Sequence, residues 1–185
     1  PTRRSSDLRF VGKCCTFQPF VANFNVGALA THPNYFLSPL GLMATSEYQK
    51  RHRTASDGAR GMDLICSFYD VASGGCGRWN HRPAECAAYF CESTHGAKGA
   101  EFWREFSEDL NVLEVAVAQM AMVEFGFSPR VIGEQITWIA RAPESLDPRA
   151  AWGDWYGLEQ DYFDRCAAWA LSLSREEVQG WLVES

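Results

Sequence analysis

The arrangement of the cysteines constrains this chain more than any other feature. There are seven, and six fall in the first half, at Cys14, Cys15, Cys66, Cys76, Cys86 and Cys91, while Cys166 stands apart near the end. Nine residues separate Cys66 from Cys76, nine more separate Cys76 from Cys86, and four separate Cys86 from Cys91. The intervening residues are loop formers, notably Ser73-Gly74-Gly75 and Arg82-Pro83, which let a backbone bend so that distant thiolates converge. An odd number of cysteines in a chain of 185 residues does not read as a small secreted disulfide scaffold. Clustered thiols in a reducing compartment read instead as metal ligands, with the metal holding the loops. The adjacent pair Cys14-Cys15 is strained as a mutual disulfide, so one or both reach across to the later group in this reading. Cys166 reads as a small buried hydrophobe.

The stretch from Cys76 to Cys91 resembles the signature of the YkgJ-type cysteine-cluster proteins, a family described as zinc- or iron-chelating. The matching positions are Cys76, Trp79, Arg82, Pro83, Cys86 and Cys91, with Cys66 where the family has an earlier cysteine. Gly12-Lys13-Cys14-Cys15 resembles the close of the family's N-terminal CxxCxxCC motif. The first two cysteines of that motif would fall at Leu8 and Val11, neither of which can ligate. The resemblance thus implies six ligand candidates, Cys14, Cys15, Cys66, Cys76, Cys86 and Cys91, and one site of four ligands with thiols to spare.

Four thiolates suit tetrahedral zinc and equally an iron–sulfur cluster. Structural zinc sites favour short CxxC knuckles, and this chain has none. The wider spacing leans towards an iron–sulfur cluster, with zinc the close alternative. Arg82 is the candidate cofactor-binding side chain, because a guanidinium beside several thiolates offsets their charge and donates to sulfur. His81 and His95 are nitrogen donors near the cysteines, and each reads first as an exposed loop histidine.

The second half reads as helical scaffold. Over residues 101–125, Phe102, Phe106, Leu110, Leu113, Val117, Met120 and Ala121 recur at three- and four-residue steps, which predicts one long helix with an apolar stripe. Gly126 and Pro129 close it. Glu124 lies on that line and reads as a carboxylate turned to solvent. Residues 131–140 suit a strand or a helix. A further helix is expected over 148–171, with Cys166 in its apolar face. Ser174-Arg175-Glu176-Glu177 fits a capping box, with Leu173 and Val178 as a hydrophobic staple, and opens a helix over 175–182. Ser38-Pro39 suggests a helix start running to about residue 51. The expected fold is a single, mainly α domain over residues 1–185. Its Cys-rich irregular part covers about 11–95 and admits a short β-hairpin; its helical scaffold covers about 100–185.

Formal charge and pI decide the partner classes. The chain carries −6 with a pI near 5.2, which disfavours nucleic acid or an anionic membrane surface. No apolar run reaches the roughly 20 residues of a transmembrane helix. A cytoplasmic location is expected, and a protein partner stays open. The chain contains no phosphate-binding loop, dinucleotide fingerprint, HExxH or GxSxG, the usual short signatures of catalysis. The leading expectation is a metal-binding protein with a structural or electron-transfer role. The alternatives are a metal- or thiolate-dependent enzyme and a metal-shaped interaction module.

Overall fold

The computed structural model describes residues 17–27, 33–55, 64–88, 95–138 and 147–183. Its framework is helical, as expected, with small sheets gathered in the first half. Strands β1 (Val21–Ala22), β2 (Tyr35–Ser38) and β3 (Gly41–Ala44) form an antiparallel sheet in the order β1-β3-β2. β3 pairs Leu42 with both Val21 and Leu37. Helix α1 (Ser46–Thr54) follows, a second hairpin joins β4 (Tyr69–Asp70) to β5 (Gly75–Cys76), and α2 (Ala84–Ala88) leads into the second half.

The helix expected to start at Ser38-Pro39 is not there. Pro39 and Leu40 form the two-residue turn of the β2–β3 hairpin, and helix begins only at Ser46, where the Thr45 hydroxyl accepts the Tyr48 amide at 3.2 Å. The physical reason is Gly41. Its φ is +141°, and a Cβ there would lie 2.0 Å from the Val21 carbonyl oxygen. Glycine lets β1 approach closely, and that approach builds the sheet.

In the second half α3 spans Gly96–Glu124, α4 Pro129–Trp138, α5 Pro148–Trp152, α6 Glu159–Ser172 and α7 Arg175–Val183. The ambiguous segment around residue 131 is therefore helical. The helix expected over 148–171 is broken: a 3-10 turn, Gly153–Trp155, separates α5 from α6, and Gly153 and Gly157 both take positive φ. The capping box forms as expected. The Ser174 hydroxyl accepts the Glu177 amide at 3.2 Å, and the Glu177 carboxylate accepts the Ser174 amide at 2.8 Å.

The core lies where α3, α6 and the Asn23–Asn25 3-10 turn meet. Val21, Val26, Ala121, Trp152, Tyr162 and Phe163 are buried there. Cys166 joins them, fully buried, and burial pushes its thiol up to about 12. Only part of the expected α3 stripe contributes. Val117 and Ala121 are buried, together with Ala118 and Met122 outside that stripe, whereas Phe102 and Phe106 are 58% and 41% exposed and stack on each other with Trp103 at their edges. Asn23 ties the layers together, its amide donating to the Pro39 and Ala118 carbonyls and to the Tyr162 hydroxyl.

Candidate metal centre

The β4–β5 hairpin carries Cys76, and Cys66 lies three residues before it. Its base is closed by the Tyr69 amide donating to the Cys66 carbonyl at 2.9 Å and the Gly77 amide donating to Phe68 at 2.8 Å. Tyr69 faces Cys76 across the pair, and Gly74, with φ +65°, makes the turn. This is the short hairpin expected in the Cys-rich part. Cys66 is buried, Cys76 is half-buried, and Cys86, on α2, is half-buried. None of the three is in a disulfide. Cys14, Cys15 and Cys91 lie outside the described residues. Among the described residues, no group of three or more His, Cys, Asp or Glu side chains is arranged to hold a metal ion.

Two side chains relate the three described thiols. Tyr35 on β2 is pushed well above the ordinary tyrosine range, first by burial and then by the charges of Cys66 and Cys86. Its hydroxyl donates to the Pro19 carbonyl at 3.0 Å, and its ring packs on Phe68 at 5.6 Å. Arg78, two residues after Cys76, sits 4.8 Å over the other aromatic neighbour, the Phe68 ring, and donates to the carbonyls of Val26 and Asn25. Burial lowers its pKa, while the charges of Tyr35 and Cys76 oppose that shift. Its Nε is buried and has no hydrogen-bond partner among the described residues.

Arg82, the guanidinium singled out by sequence, is placed differently. It stacks 3.7 Å over Trp79, which is 63% exposed, and its Nε donates to the Trp79 carbonyl at 3.2 Å. Its terminal nitrogen reaches the Cys86 carbonyl at 3.5 Å. It thus braces the chain between Trp79 and Cys86 through the backbone. His81 and His95 are exposed, and so is Glu124.

Two further clamps hold the cysteine-bearing segments. The Gln18 amide donates to the Ile65 carbonyl at 2.9 Å and accepts from the Ser67 amide at 3.0 Å, so it grips both neighbours of Cys66. Gln18 follows Cys15 by three residues, a tether of at most about 11 Å. Glu114 on α3 is only 9% exposed and accepts the Ala84 amide at the start of α2 at 3.1 Å. Burial raises the pKa of Glu114, with a smaller push from Glu85, itself raised by burial.

Gln18, Tyr35, Arg78 and Glu114 carry no motif, and sequence reasoning passed over them. The one available signal was Arg78's position beside Cys76. No protein family, characterised protein or solved structure matches the chain significantly.

Proposed function

We propose that this chain is a metal-binding protein whose clustered thiolates hold an iron–sulfur cluster or a zinc ion, in a structural or electron-transfer role. The ligands are drawn from Cys66, Cys76 and Cys86, together with Cys14, Cys15 and Cys91. Kinship with the YkgJ-type cysteine-cluster proteins belongs to the same reading.

Arg78 carries the argument. A buried N–H left unpaired costs about 1–3 kcal/mol, and chains rarely retain such a donor without an acceptor for it. Two nitrogens of this half-buried side chain are fixed on Asn25 and Val26, while the buried Nε, two residues along the chain from Cys76, has no partner among the described residues. An anionic metal–thiolate group supplies the acceptor and the countercharge together. Bound zinc would fix the loops; a bound iron–sulfur cluster would carry electrons. A reducing compartment, the cytoplasm, suits a site built of thiols. The acidic charge, −6, argues against nucleic acid as the partner.

Anaerobic purification followed by metal analysis and an absorption spectrum tests the reading. The expected result is about one zinc, or one iron–sulfur cluster with its broad visible absorption, per chain. Iron plus zinc below about half an equivalent overturns it, since thiolate sites of this kind retain their metal.

A further inference from the structure

We propose that the leading end of α3 is a docking surface for a basic amphipathic helix of a partner protein, seated on Phe102 and Phe106. This goes beyond the metal reading and does not depend on it.

Phe102 and Phe106 stand four residues apart in α3, so their side chains form one ridge along the helix. Their ring centroids lie 6.1 Å apart with the planes 4° from parallel, and the Trp103 ring meets both edge-on, at 5.4 and 5.7 Å. Single exposed apolar side chains are ordinary on a protein surface. Aromatic rings gathered against one another there mark an interaction site. Both phenylalanines are exposed, and among the described residues they touch no ring outside this group. Val112, 64% exposed, extends the apolar surface along the helix. Rings already held in place lose little freedom when a partner covers them, which suits them as anchors.

Charge selects the occupant. Residues 101–109 hold four carboxylates, Glu101, Glu105, Glu108 and Asp109, against the guanidinium of Arg104. Arg104 is already engaged, 2.8 Å from Glu108 and 3.6 Å from Glu105. Glu101 and Asp109 have no hydrogen bond or ion pair among the described residues. Lys98, one turn before Phe102, is the other cation at this end. By helical spacing, Glu101, Glu105 and Glu108 line one flank of the ridge, and Asp109 continues its line. An apolar ridge beside a row of carboxylates fits a helix with aliphatic side chains on one face and Lys or Arg along its edge. Ridge then packs into groove while cations meet carboxylates. A second copy of this chain fits worse. A two-fold interface sets one patch against itself, and these carboxylates would face one another.

The test titrates the full chain with a synthetic leucine–lysine amphipathic helix of about 18 residues. A leucine–glutamate peptide with the same apolar face is the control, and hydrogen exchange reads where each binds. The lysine peptide is expected to bind saturably and to slow exchange over residues 99–110 about 10-fold or more; the glutamate peptide should do neither. Phe102→Ser combined with Phe106→Ser should weaken binding about 10-fold or more. Glu101→Lys combined with Asp109→Lys leaves the rings in place and should weaken it several-fold. Leu171→Ser, on α6 and 89% exposed, should change nothing. No binding, equal binding of the two peptides, or protection spread over the rest of the surface overturns the proposal. Undiminished binding in the double serine variant overturns it too, as bare charge attraction. The double lysine variant keeps the test decisive where serine frays the helix, because parent-like binding there also overturns the proposal. A parent that sediments as a dimer, and as a monomer once both phenylalanines are serine, assigns the face to self-association and overturns the partner reading.

Discussion

The Asn23 side-chain amide donates to the Tyr162 hydroxyl at 3.0 Å across 139 residues of sequence, and that hydroxyl in turn donates to the Pro39 carbonyl at 2.7 Å. The pair joins the first sheet to α6 in a fully buried setting. Because Asn23 also donates to Ala118 and accepts from the Phe24 amide, Asn23→Ala strands several buried groups at once. A loss of about 2–4 kcal/mol is expected, read as a lower urea midpoint with an unchanged slope. A variant as stable as the parent refutes the pair's structural role.

Gly41→Ala forces a Cβ to within 2.0 Å of the Val21 carbonyl oxygen and adds strain at φ +141°. Backbone has to move, so the expected cost is at least about 3 kcal/mol. Soluble yield and the thermal midpoint check it.

Gln135 is fully buried, and neither end of its amide has a hydrogen-bond partner among the described residues. Gln135→Met keeps the volume and removes the unpaired groups. Stability should rise by about 1–3 kcal/mol, or several degrees in thermal midpoint. A lower midpoint instead means the amide is being satisfied by bound water.

Glu114 gives a signed pH dependence. Burial holds its folded pKa above the ordinary 4.5, so in the window above 4.5 the folded chain keeps a proton that the unfolded chain has lost. Its contribution to stability is complete below 4.5 and is lost as pH rises through the folded value. The stability difference between Glu114→Gln and the parent should therefore change across that window and level off on either side. Denaturation midpoints compared from pH 4 to 8 check this; a pH-independent difference contradicts it.

Local rules located most of the helical half. The α3 period, the closing Gly126 and the Ser174–Glu177 box each depend on residues within a few positions of one another, and each appears in the structure. The β2–β3 hairpin escaped because its cause is not local. Tyr35, Phe36 and Leu37 are all half-buried and show no alternation, and Gly41 matters through Val21, twenty residues earlier. The break between α5 and α6 escaped for a related reason: Trp155 continues the apolar period, but its indole nitrogen donates to the Phe125 carbonyl outside the helix. At the candidate site the same limit applies. Cysteine spacing singled out Cys76 and Cys86, yet no local rule tells which guanidinium lies over the exposed Trp79 and which over Phe68. Cys14, Cys15 and Cys91, being outside the described residues, add nothing to that comparison.

Helix α3 runs for 29 residues, about 43 Å, yet among the described residues only its later portion is buried. Backbone amides near Ala118 and Met122 should exchange with deuterium only when the whole molecule opens, whereas those near Phe102 and Phe106 need no more than fraying of the first turns. A single continuous helix thus spans nearly the full range of protection factors. Its aromatic leading end is an ordered element whose persistence depends on its own hydrogen bonds and ring stacking rather than on the interior.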